Sequence, residues 1–409
     1  MTQYPRFTIL FPTRERADVL FHSLRTAVEQ DYPNLEIIVC DNNSRDNTRS
    51  VVESFRDKRI RYINPGQRLS MTHNWEFGLS HVNSEWVTIL GDDDAILPGS
   101  LRRVAAIAAI TGLKAIRAKG CSYRWPSLTG SRFGTLSIHQ KCGFEIRRTD
   151  HWLSKVMSGQ ANYSVLPILY NGGFTHMSII DQARSITGEF FRSMTPDVYS
   201  AIAIANLTEE YVFCHEPLAI NGASAHSTGS SMFRPIPATN AQPTASMLFL
   251  SENNIPFHSD LSGPNGSLPP QSIQALVYEA YLQALPLTSR RVSSANHAEQ
   301  ARLILTSAGE HCEGLAVWLL GFCALHDLPY PTAKSPFWQY IGTQCRWLST
   351  KWESTNTFVL KGSLGNPLEN VYDASMVAAC VKNETSSRVC NLCRRLFNRI
   401  RIPYRNFAQ

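Results

Sequence analysis

The sequence predicts a mixed α/β fold, with a mostly parallel sheet flanked by helices and a mainly helical C-terminal region. Over roughly the first quarter of the 409 residues, short apolar runs alternate with amphipathic helical stretches, which is typical of parallel sheets covered on both faces. Residues 273–382 have the pattern of helices instead. The length also exceeds that of one ordinary domain, ~100–200 residues, so more than one structural unit is expected.

The first predicted elements are four strands, each followed by a helix. The strands are expected at residues 7–11, 36–40, 60–63 and 86–90, and the helices at 17–30, 48–55, 71–80 and 100–110. In sheets of this kind, ligands bind beyond the carboxyl ends of the strands. Polar residues cluster at three of these strand ends, namely residues 12–16, 41–45 and 91–94. A binding site is therefore expected at this edge of the sheet.

The rest of the chain is expected to complete this domain, as residues 1–226, and to add three further stretches. The completing part has a hairpin or loop at 121–143, helices from 149 and after 195, and a strand at 210–214. Residues 227–272, rich in Ser, Pro, Asn and Gly, are interpreted as a linker or long surface loop. Residues 273–385 form the helical region, and residues 386–409 form a basic amphipathic tail.

Composition excludes several classes of protein. Hydrophobic residues make up 43% of the chain and charged residues 18%, which excludes a wholly disordered or fibrous protein. The net charge of +6 is too small to indicate nucleic-acid binding by itself. The longest apolar run, residues 315–325, is shorter than the ~20 residues that cross a bilayer. The ten cysteines follow no disulfide or zinc pattern, and with no signal core at the N-terminus we expect a cytoplasmic protein.

Three consecutive acids, Asp92, Asp93 and Asp94, directly follow the fourth predicted strand. Adjacent carboxylates repel one another unless a cation lies between them, and oxygen ligands suit Mg²⁺ or Mn²⁺. The alternative is a solvated acidic turn that caps the next helix. The position after a core strand favours the metal site. Glycine-rich phosphate loops are absent from the sequence, so nucleotide binding would use these acids.

Several ordered motifs make residues 7–101 resemble the nucleotide-sugar-binding half of a family 2 glycosyltransferase with the GT-A fold. The motifs are Pro12-Thr13-Arg14, residues 30–41, Asn43-Ser44 with Asp46-Asn-Thr48, Asn64, Gly66, Asn74 and residues 89–98. The resemblance is fainter up to residue 226. The last 180 or so residues resemble no family that we can name.

The resemblance implies a nucleotide pocket and a metal site at the strand ends. Nucleotide-binding roles are expected for Pro12, Thr13, Arg14, Asp41, Asn43 and Asp92. Arg68 is added because a cation in this loop could balance phosphate charge, although it could equally be a solvated loop charge. The family usually has Asp-x-Asp-Asp at its metal motif, and here Gly91 occupies the first Asp position. Asp93 and Asp94 are therefore the expected metal ligands, and Asp92 replaces the missing acid.

Two further site residues are expected later in the chain, one on the acceptor side and one at the metal and diphosphate. Asp197, in Thr195-Pro-Asp, is predicted in the first turn of a helix, where it resembles the catalytic base of the family. The alternative is that it only stabilises the helix dipole. His226 lies in a Gly/Ser-rich segment that could close over the site and contact the metal or the diphosphate. An exposed loop histidine is the alternative.

Together with the resemblance, these residues predict a metal-dependent glycosyltransferase that uses Mn²⁺ or Mg²⁺. It would move a sugar from a nucleotide-sugar to a hydroxyl of a glycan or lipid-linked acceptor in surface polysaccharide synthesis. The resemblance alone implies that the transfer is inverting and that the donor is by default a UDP-sugar. The alternative is a catalytically inactive sugar-nucleotide-binding or membrane-surface scaffold. The basic tail is either a solvated terminus or a peripheral contact with anionic lipid at the inner face of the membrane. Nucleic acid is not an expected partner, and the sequence leaves the oligomeric state open.

Overall fold

The computed structural model describes residues 4–229, 245–261, 272–288, 296–307, 314–331, 357–364 and 368–386. The strands in these residues are β1 (Phe7–Thr13), β2 (Leu35–Asp41), β3 (Ile60–Ile63), β4 (Trp86–Ile89), β5 (Ala95–Ile96), β6 (Ala115–Ala118), β7 (Cys121–Arg124), β8 (Thr135–His139), β9 (Phe144–Arg148), β10 (Gly173–His176), β11 (Glu210–Cys214), β12 (Ala219–Ala223) and β13 (Thr357–Lys361).

The α-helices pack around these strands. In the same residues they are α1 (Ala17–Val28), α2 (Thr48–Ser54), α3 (Met71–Ser80), α4 (Ser100–Thr111), α5 (Pro126–Thr129), α6 (Thr149–Met157), α7 (Met177–Thr187), α8 (Pro196–Leu207), α9 (Ala245–Leu250), α10 (Ile273–Gln283), α11 (His297–Ser307), α12 (Leu315–Leu325) and α13 (Val371–Ser386). All four predicted strand–helix pairs are present, with boundaries close to the predicted ones.

The strands form two sheets. The larger has the order β3-β2-β1-β4-β10-β6-β11-β9, and the smaller has the order β13-β8-β7-β12-β5. Strands β3, β2, β1 and β4 are parallel, whereas β10 runs antiparallel to both β4 and β6. The predicted class, an α/β fold with a mostly parallel N-terminal sheet and a helical C-terminal region, is confirmed. The smaller sheet and the reversed strand β10 were not predicted.

The two faces of the larger sheet are covered by separate sets of helices. Helices α1 and α4 pack on one face, around Leu20, Leu24 and Val104. Helices α3, α7 and α8 pack in the other large cluster, and α8 is buried almost all round because α10 covers it. This arrangement explains why α8 is apolar along most of its length.

The helices after residue 272 share these hydrophobic clusters. Residues of α10, α11 and α12, such as Tyr278, Ile304 and Trp318, belong to the same cluster as α8. Helix α13 packs with the smaller sheet through Val371 and Ala374. The predicted division into units 1–226, 227–272 and 273–385 stays a prediction. Most of the predicted linker, Cys390, Cys393 and all but the first residue of the predicted tail lie outside the described residues.

Candidate functional site

A cavity of about 780 Å³ opens beyond the carboxyl ends of β1 and β4. Its volume is within the range of ~300–1,000 Å³ that is usual for small-molecule sites. The predicted site residues that line it are Pro12, Asp92, Asp93 and Asp197. The other predicted residues lie behind its walls or around its rim, and their contacts are described below.

The side chain of Asp92 is buried between two strand-end residues. Its Oδ2 accepts a hydrogen bond from Thr13 Oγ1 at 3.0 Å, and its Oδ1 accepts one from Arg16 Nη1 at 2.9 Å. Burial raises the pKa of Asp92, and the charge of Arg16 opposes that effect. Burial would lower the pKa of Arg16, but Asp92 and Asp93 outweigh it and raise that pKa. Asp92 and Arg16 therefore form a close ion pair, with Arg16 Nη1 and Asp92 Oδ1 2.9 Å apart.

The side chain of Asp93 is held by the segment that follows β12. Its Oδ2 accepts hydrogen bonds from Ser224 N at 3.2 Å, Ser224 Oγ at 2.7 Å and Ser227 Oγ at 2.5 Å. Its backbone oxygen accepts one from Trp125 Nε1 at 2.9 Å. All three hydrogen bonds to the Asp93 side chain go to Oδ2, so this one oxygen fixes the orientation of the carboxylate. Asp93 also lines the cavity in which a ligand would bind.

Asp94 is buried and is not among the residues that line the cavity. Its Oδ2 accepts a hydrogen bond from Gly91 N at 3.0 Å, and its Oδ1 accepts one from Gly222 N at 2.8 Å. The hydroxyl of Tyr170 also hydrogen-bonds to it. Burial, followed by the charge of Asp93, raises the pKa of Asp94 to about 8. These contacts give Asp94 the position of a structural carboxyl, and its predicted role as a metal ligand stays a prediction.

There is a steric reason for glycine at position 91, where the family usually has the first Asp of its metal motif. A Cβ atom at this position would lie 2.6 Å from both Asp94 Oδ2 and the Tyr170 hydroxyl oxygen. A larger residue would therefore have to displace the side chain of Asp94. In this chain the space of the missing first acid is filled by Asp94 and Tyr170.

The predicted nucleotide residues at the ends of β1 and β2 are held mainly by side-chain contacts. Asp41 accepts hydrogen bonds from Ser44 N at 3.1 Å and from the Tyr62 hydroxyl at 2.5 Å. Asn43, two residues after Asp41, has a left-handed backbone conformation with φ of 54°. This conformation shapes the turn after β2, next to Asp41, the residue predicted to bind the nucleobase.

Arginines at this end of the sheet form ion pairs with two different segments. Arg68 Nη2 donates to Glu15 Oε1 at 2.8 Å, so the two strand-end loops are linked. Arg14 pairs with Glu252, which follows α9 and is half-buried. The second oxygen of Glu252, Oε2, is inaccessible to solvent and has no hydrogen-bond partner among the described residues. A segment far along the chain therefore places a half-buried carboxylate against Arg14, a predicted nucleotide-binding residue.

His226 lies at the rim rather than on the cavity wall. Its Nε2 is 3.2 Å from Asp18 Oδ2, and this hydrogen bond raises the pKa of His226. Its backbone oxygen accepts a hydrogen bond from Arg16 Nη2 at 2.6 Å. The segment does close over the strand ends, but it does so through its backbone and through Ser224 and Ser227.

Asp197 lies in the first turn of α8 and lines the cavity. Its Oδ2 accepts a hydrogen bond from the Tyr163 hydroxyl at 3.1 Å. Burial raises the pKa of Asp197 in the direction of neutral pH. A carboxylate with a higher pKa is a stronger base. Helix α8 begins where the sequence predicts, with Thr195 at the N-cap position, although the Thr195 side chain makes no capping hydrogen bond.

Several contributors to the site were not predicted. Arg16, Ser224 and Ser227 belong to stretches that the sequence analysis did single out, so their polarity was a usable signal. Other cavity residues, among them Tyr163 and Arg117, lie in a region without a recognisable motif. They reach the site only because β6 and the segment before β10 pass beside it.

The site fits a divalent cation that is shared with a substrate. The described residues contain no group of three His, Cys, Asp or Glu side chains that could hold a metal alone. Mg²⁺ and Mn²⁺, however, are commonly held by one or two carboxylates together with substrate phosphates. Asp93 supplies one such carboxylate to the cavity, beside Asp92. The donor set is therefore suited to a cation that binds together with a diphosphate.

Comparison with known proteins identifies the part of the chain that carries these acids. Residues 8–127 match the family model described as glycosyl transferase family 2. This stretch is a family 2 glycosyltransferase domain. The predicted resemblance is confirmed, and the match extends beyond the predicted residue 101. Among the described helices, none is both long enough and apolar enough to span a membrane.

Curated relatives match this glycosyltransferase domain. The GalNAc(5)-diNAcBac-PP-undecaprenol β-1,3-glucosyltransferase of Campylobacter jejuni is 38% identical over 100 residues, which are 24% of this chain and 32% of the relative. The UDP-Glc:α-D-GlcNAc-diphosphoundecaprenol β-1,3-glucosyltransferase WfgD of Escherichia coli is 27% identical over 94 residues, 23% of this chain and 37% of the relative. The chain thus spans about a third of the length of the curated relatives it matches.

Solved structures are more distant from this chain. TarS 1–349 of S. aureus in complex with UDP-GlcNAc is 15% identical, with 78% of this chain and 86% of that chain covered and a TM-score of 0.44. The mannosyltransferase PcManGT of Pyrobaculum calidifontis, in complex with GDP-Man and Mn²⁺, is 17% identical, with 93% and 88% covered and a TM-score of 0.41.

Proposed function

We propose that this protein is an inverting, metal-dependent glycosyltransferase. It takes a sugar from a nucleotide-sugar, with UDP as the nucleotide, and transfers it to a hydroxyl of a glycan or lipid-linked acceptor in surface polysaccharide synthesis. The observation that carries the proposal is one cavity lined by both Asp93, from the family 2 domain, and Asp197, from the chain beyond it. The names of both glucosyltransferase relatives support a lipid-linked acceptor, and the name of the E. coli relative, which includes UDP-Glc, supports a UDP-sugar donor.

The donor end of the cavity would hold the nucleotide diphosphate at the ends of β1, β2 and β4. Pro12, Thr13, Arg14, Asp41 and Asn43 surround the base and ribose in this proposal, and Arg68 lies beside the phosphates. Asp92, fixed by Thr13 and Arg16, faces the ribose.

A divalent cation, Mn²⁺ or Mg²⁺, would be held by Asp93, with Asp94 and His226 as the further predicted ligands. When bound, it would neutralise the charge that develops on the leaving diphosphate. Ser224 and Ser227 keep the Asp93 carboxylate oriented towards that position.

The acceptor end would use Asp197 as the general base. Asp197 takes the proton of the acceptor hydroxyl while the hydroxyl oxygen forms a bond to the anomeric carbon of the sugar. The bond from that carbon to the diphosphate breaks, and the nucleoside diphosphate leaves. Attack from the face opposite the leaving group inverts the anomeric configuration. The Tyr163 hydroxyl, 3.1 Å from Asp197 Oδ2, orients the base for this transfer.

We also propose a cytoplasmic enzyme that contacts the inner face of the membrane peripherally. This location would suit an acceptor on a lipid carrier. The proposal rests on the basic composition of the tail and on the lipid-linked acceptors in the relatives' names.

A calorimetric panel of UDP, GDP, CDP and dTDP, each with and without Mn²⁺, tests the donor half of the proposal. We expect metal-dependent binding of UDP, weakened at least tenfold by Asp93→Ala because the cation loses its carboxylate. Asp150→Ala, which removes an exposed acid paired with Arg148, is the matched control and should leave binding unchanged. Folded protein that binds none of the four nucleotides would contradict the proposal.

A further inference from the structure

Arg117, on β6, is a cavity-lining cation with an unusual set of partners. Its Nε donates to the Ser164 backbone oxygen at 2.7 Å, and its Nη1 donates to the backbone oxygens of Asn171 at 2.6 Å and Tyr170 at 3.3 Å. All of these acceptors are neutral carbonyl groups. In the described part of the chain, no carboxylate forms an ion pair with Arg117.

This arrangement leaves a half-buried positive charge without a counter-charge among the described residues. Burying a charge without a counter-charge is unfavourable, and here burial lowers the pKa of Arg117 to about 10. The contrast with Arg16 is direct, because Arg16 lines the same cavity and has Asp92 at 2.9 Å. An anionic ligand would supply the missing counter-charge of Arg117.

The chain around Arg117 strengthens the positive character of this wall. Residues 115–124, which span β6 and β7, contain Arg117, Lys119 and Arg124 and no acidic residue. All three basic side chains line the cavity. A wall with three cations and no acid of its own favours phosphate over a neutral sugar.

Asn171, which also lines the cavity, is a second polar group without full compensation. It is only 5% exposed, and its Oδ1 has no hydrogen-bond partner among the described residues. It also adopts a left-handed conformation with φ of 37°. A buried acceptor without a donor is a feature of ligand-binding positions, and here it could accept a hydrogen bond from a hydroxyl of a ligand whose phosphate is bound by Arg117.

We propose that the wall formed by residues 115–124, centred on Arg117, binds a phosphate group of the acceptor substrate. The inference rests on the proposed glycosyltransferase function, in which the donor diphosphate lies with Asp93. Arg117 is bonded instead to the segment 164–171, and this segment directly follows Tyr163, the partner of the proposed base Asp197. A phosphate at Arg117 would therefore belong to the molecule whose hydroxyl Asp197 deprotonates.

Calorimetry with glucose 1-phosphate and with glucose tests this assignment on the full chain. Each is titrated into free protein and into protein saturated with UDP and Mn²⁺. We expect glucose 1-phosphate to bind at least tenfold more tightly than glucose, and to bind UDP-saturated protein with an affinity within about threefold of that for free protein. Arg117→Gln should remove the preference for the phosphate. Arg117→Lys should keep part of it, because the charge remains while the planar fork is lost.

Arg148→Gln, which removes an exposed arginine paired with Asp150, is the matched control and should leave the preference unchanged. Equal affinities for glucose and glucose 1-phosphate in the wild type would overturn the inference, whether or not the variants fold. Loss of glucose 1-phosphate binding in UDP-saturated protein would also overturn it, because the anion would then belong to the donor site. If no nucleotide binds but the Arg117-dependent preference is present, the anion site stands and the proposed donor fails.

Discussion

The family 2 stretch, residues 8–127, and the chain after it contribute different things to one cavity. The first supplies Asp92 and Asp93 on strand-end loops. The second supplies Asp197, and it also supplies Gly222 and Ser224, which hydrogen-bond to the acids of the first. The comparison shows that the acidic motif holds only part of its geometry by itself. Asp92 is fixed within the family match, by Thr13 and Arg16. The side chain of Asp93 and one oxygen of Asp94 are held by partners from a part of the chain that the family match does not reach.

Asp93 and Asp94 also differ in what they contribute to the site, although they are neighbours in the sequence. Asp93 lines the cavity and is oriented through one oxygen, whereas both oxygens of Asp94 accept backbone N–H groups. Adjacent positions with the same side chain therefore differ in environment. The difference arises because β12 and Tyr170 pack beside Asp94.

The strongest test of the comparison is Asp197→Asn, because it asks whether the later chain supplies chemistry. We expect sugar transfer to fall by about 10²–10⁴-fold, since the general base is lost, while nucleotide affinity changes less than about twofold. In the wild type, kcat/KM should fall as the pH drops through the pKa of Asp197, which burial raises. Asp181→Asn, on the exposed surface of α7, is the control for both measurements.

Full transfer activity in the Asp197→Asn protein would contradict the assignment of the base. In that case, another residue would have to act as the base, and the acceptor would bind at another part of the cavity. The contribution of the later chain would then be structural only.

Gly222→Ala tests how firmly the later chain positions the acids. A Cβ atom at residue 222 would overlap the Asp93 carbonyl oxygen, so the loop must move, and we expect a loss of about 3 kcal/mol in the free energy of unfolding. Urea unfolding measures the effect. Gly229→Ala is the control, since a Cβ there meets no atom within 4 Å. Equal urea midpoints for the two variants would show that the loop containing Asp93 can move with little loss of stability.

Glu279→Gln tests a buried contact between the C-terminal helix α10 and the segment that leads into α8, the helix of Asp197. Glu279, on α10, is buried and accepts hydrogen bonds from Ser193 Oγ and from Gln283 Nε2. Burial raises its pKa from 4.5 to about 7. The folded protein therefore binds a proton more tightly than the unfolded chain does, and this contribution to stability is lost as the pH rises through about 7.

We therefore expect the free energy of unfolding of the wild type to fall between pH 5 and pH 8.5, by on the order of 2 kcal/mol from this group. The Glu279→Gln protein should lack that part of the fall. Glu210→Gln, an exposed glutamate on β11, should keep it. Denaturant unfolding at the two pH values decides the matter, and identical pH dependence in all three proteins would count against a buried titrating Glu279.

Glu252→Gln should have the smallest effect. It removes a negative charge beside Arg14, in the pocket proposed for an anionic nucleotide, so we expect nucleotide affinity to rise about threefold. Calorimetry with UDP and Mn²⁺ measures it, with Glu29→Gln as a control from an exposed ion pair. A lower affinity would show that Glu252 instead holds Arg14 ready for the nucleotide.

The local patterns were sufficient to predict much of the N-terminal fold and several site positions. Strands β1 to β4 and their helices were predicted because each depends on apolar residues close together in sequence. The start of α8, and with it the position of Asp197, followed from a short Thr-Pro-Asp stretch. Strands β7 and β8 pair locally, within the hairpin or loop predicted at 121–143. The rest of the smaller sheet was not predicted, because β5, β12 and β13 join it across long intervening segments.

The sequence by itself determined which residue types stand at the strand ends, because strands, turns and helix starts are local properties of the chain. Only the tertiary structure decided what each of those residues does. Asp94 meets Gly222 across 128 residues, and Arg14 meets Glu252 across 238 residues. Such pairs form where the packed core brings distant segments together. No local pattern distinguishes Asp93 from Asp94, or shows that Arg117 is half-buried and has no carboxylate partner among the described residues. Both properties depend on neighbours that only the folded chain supplies.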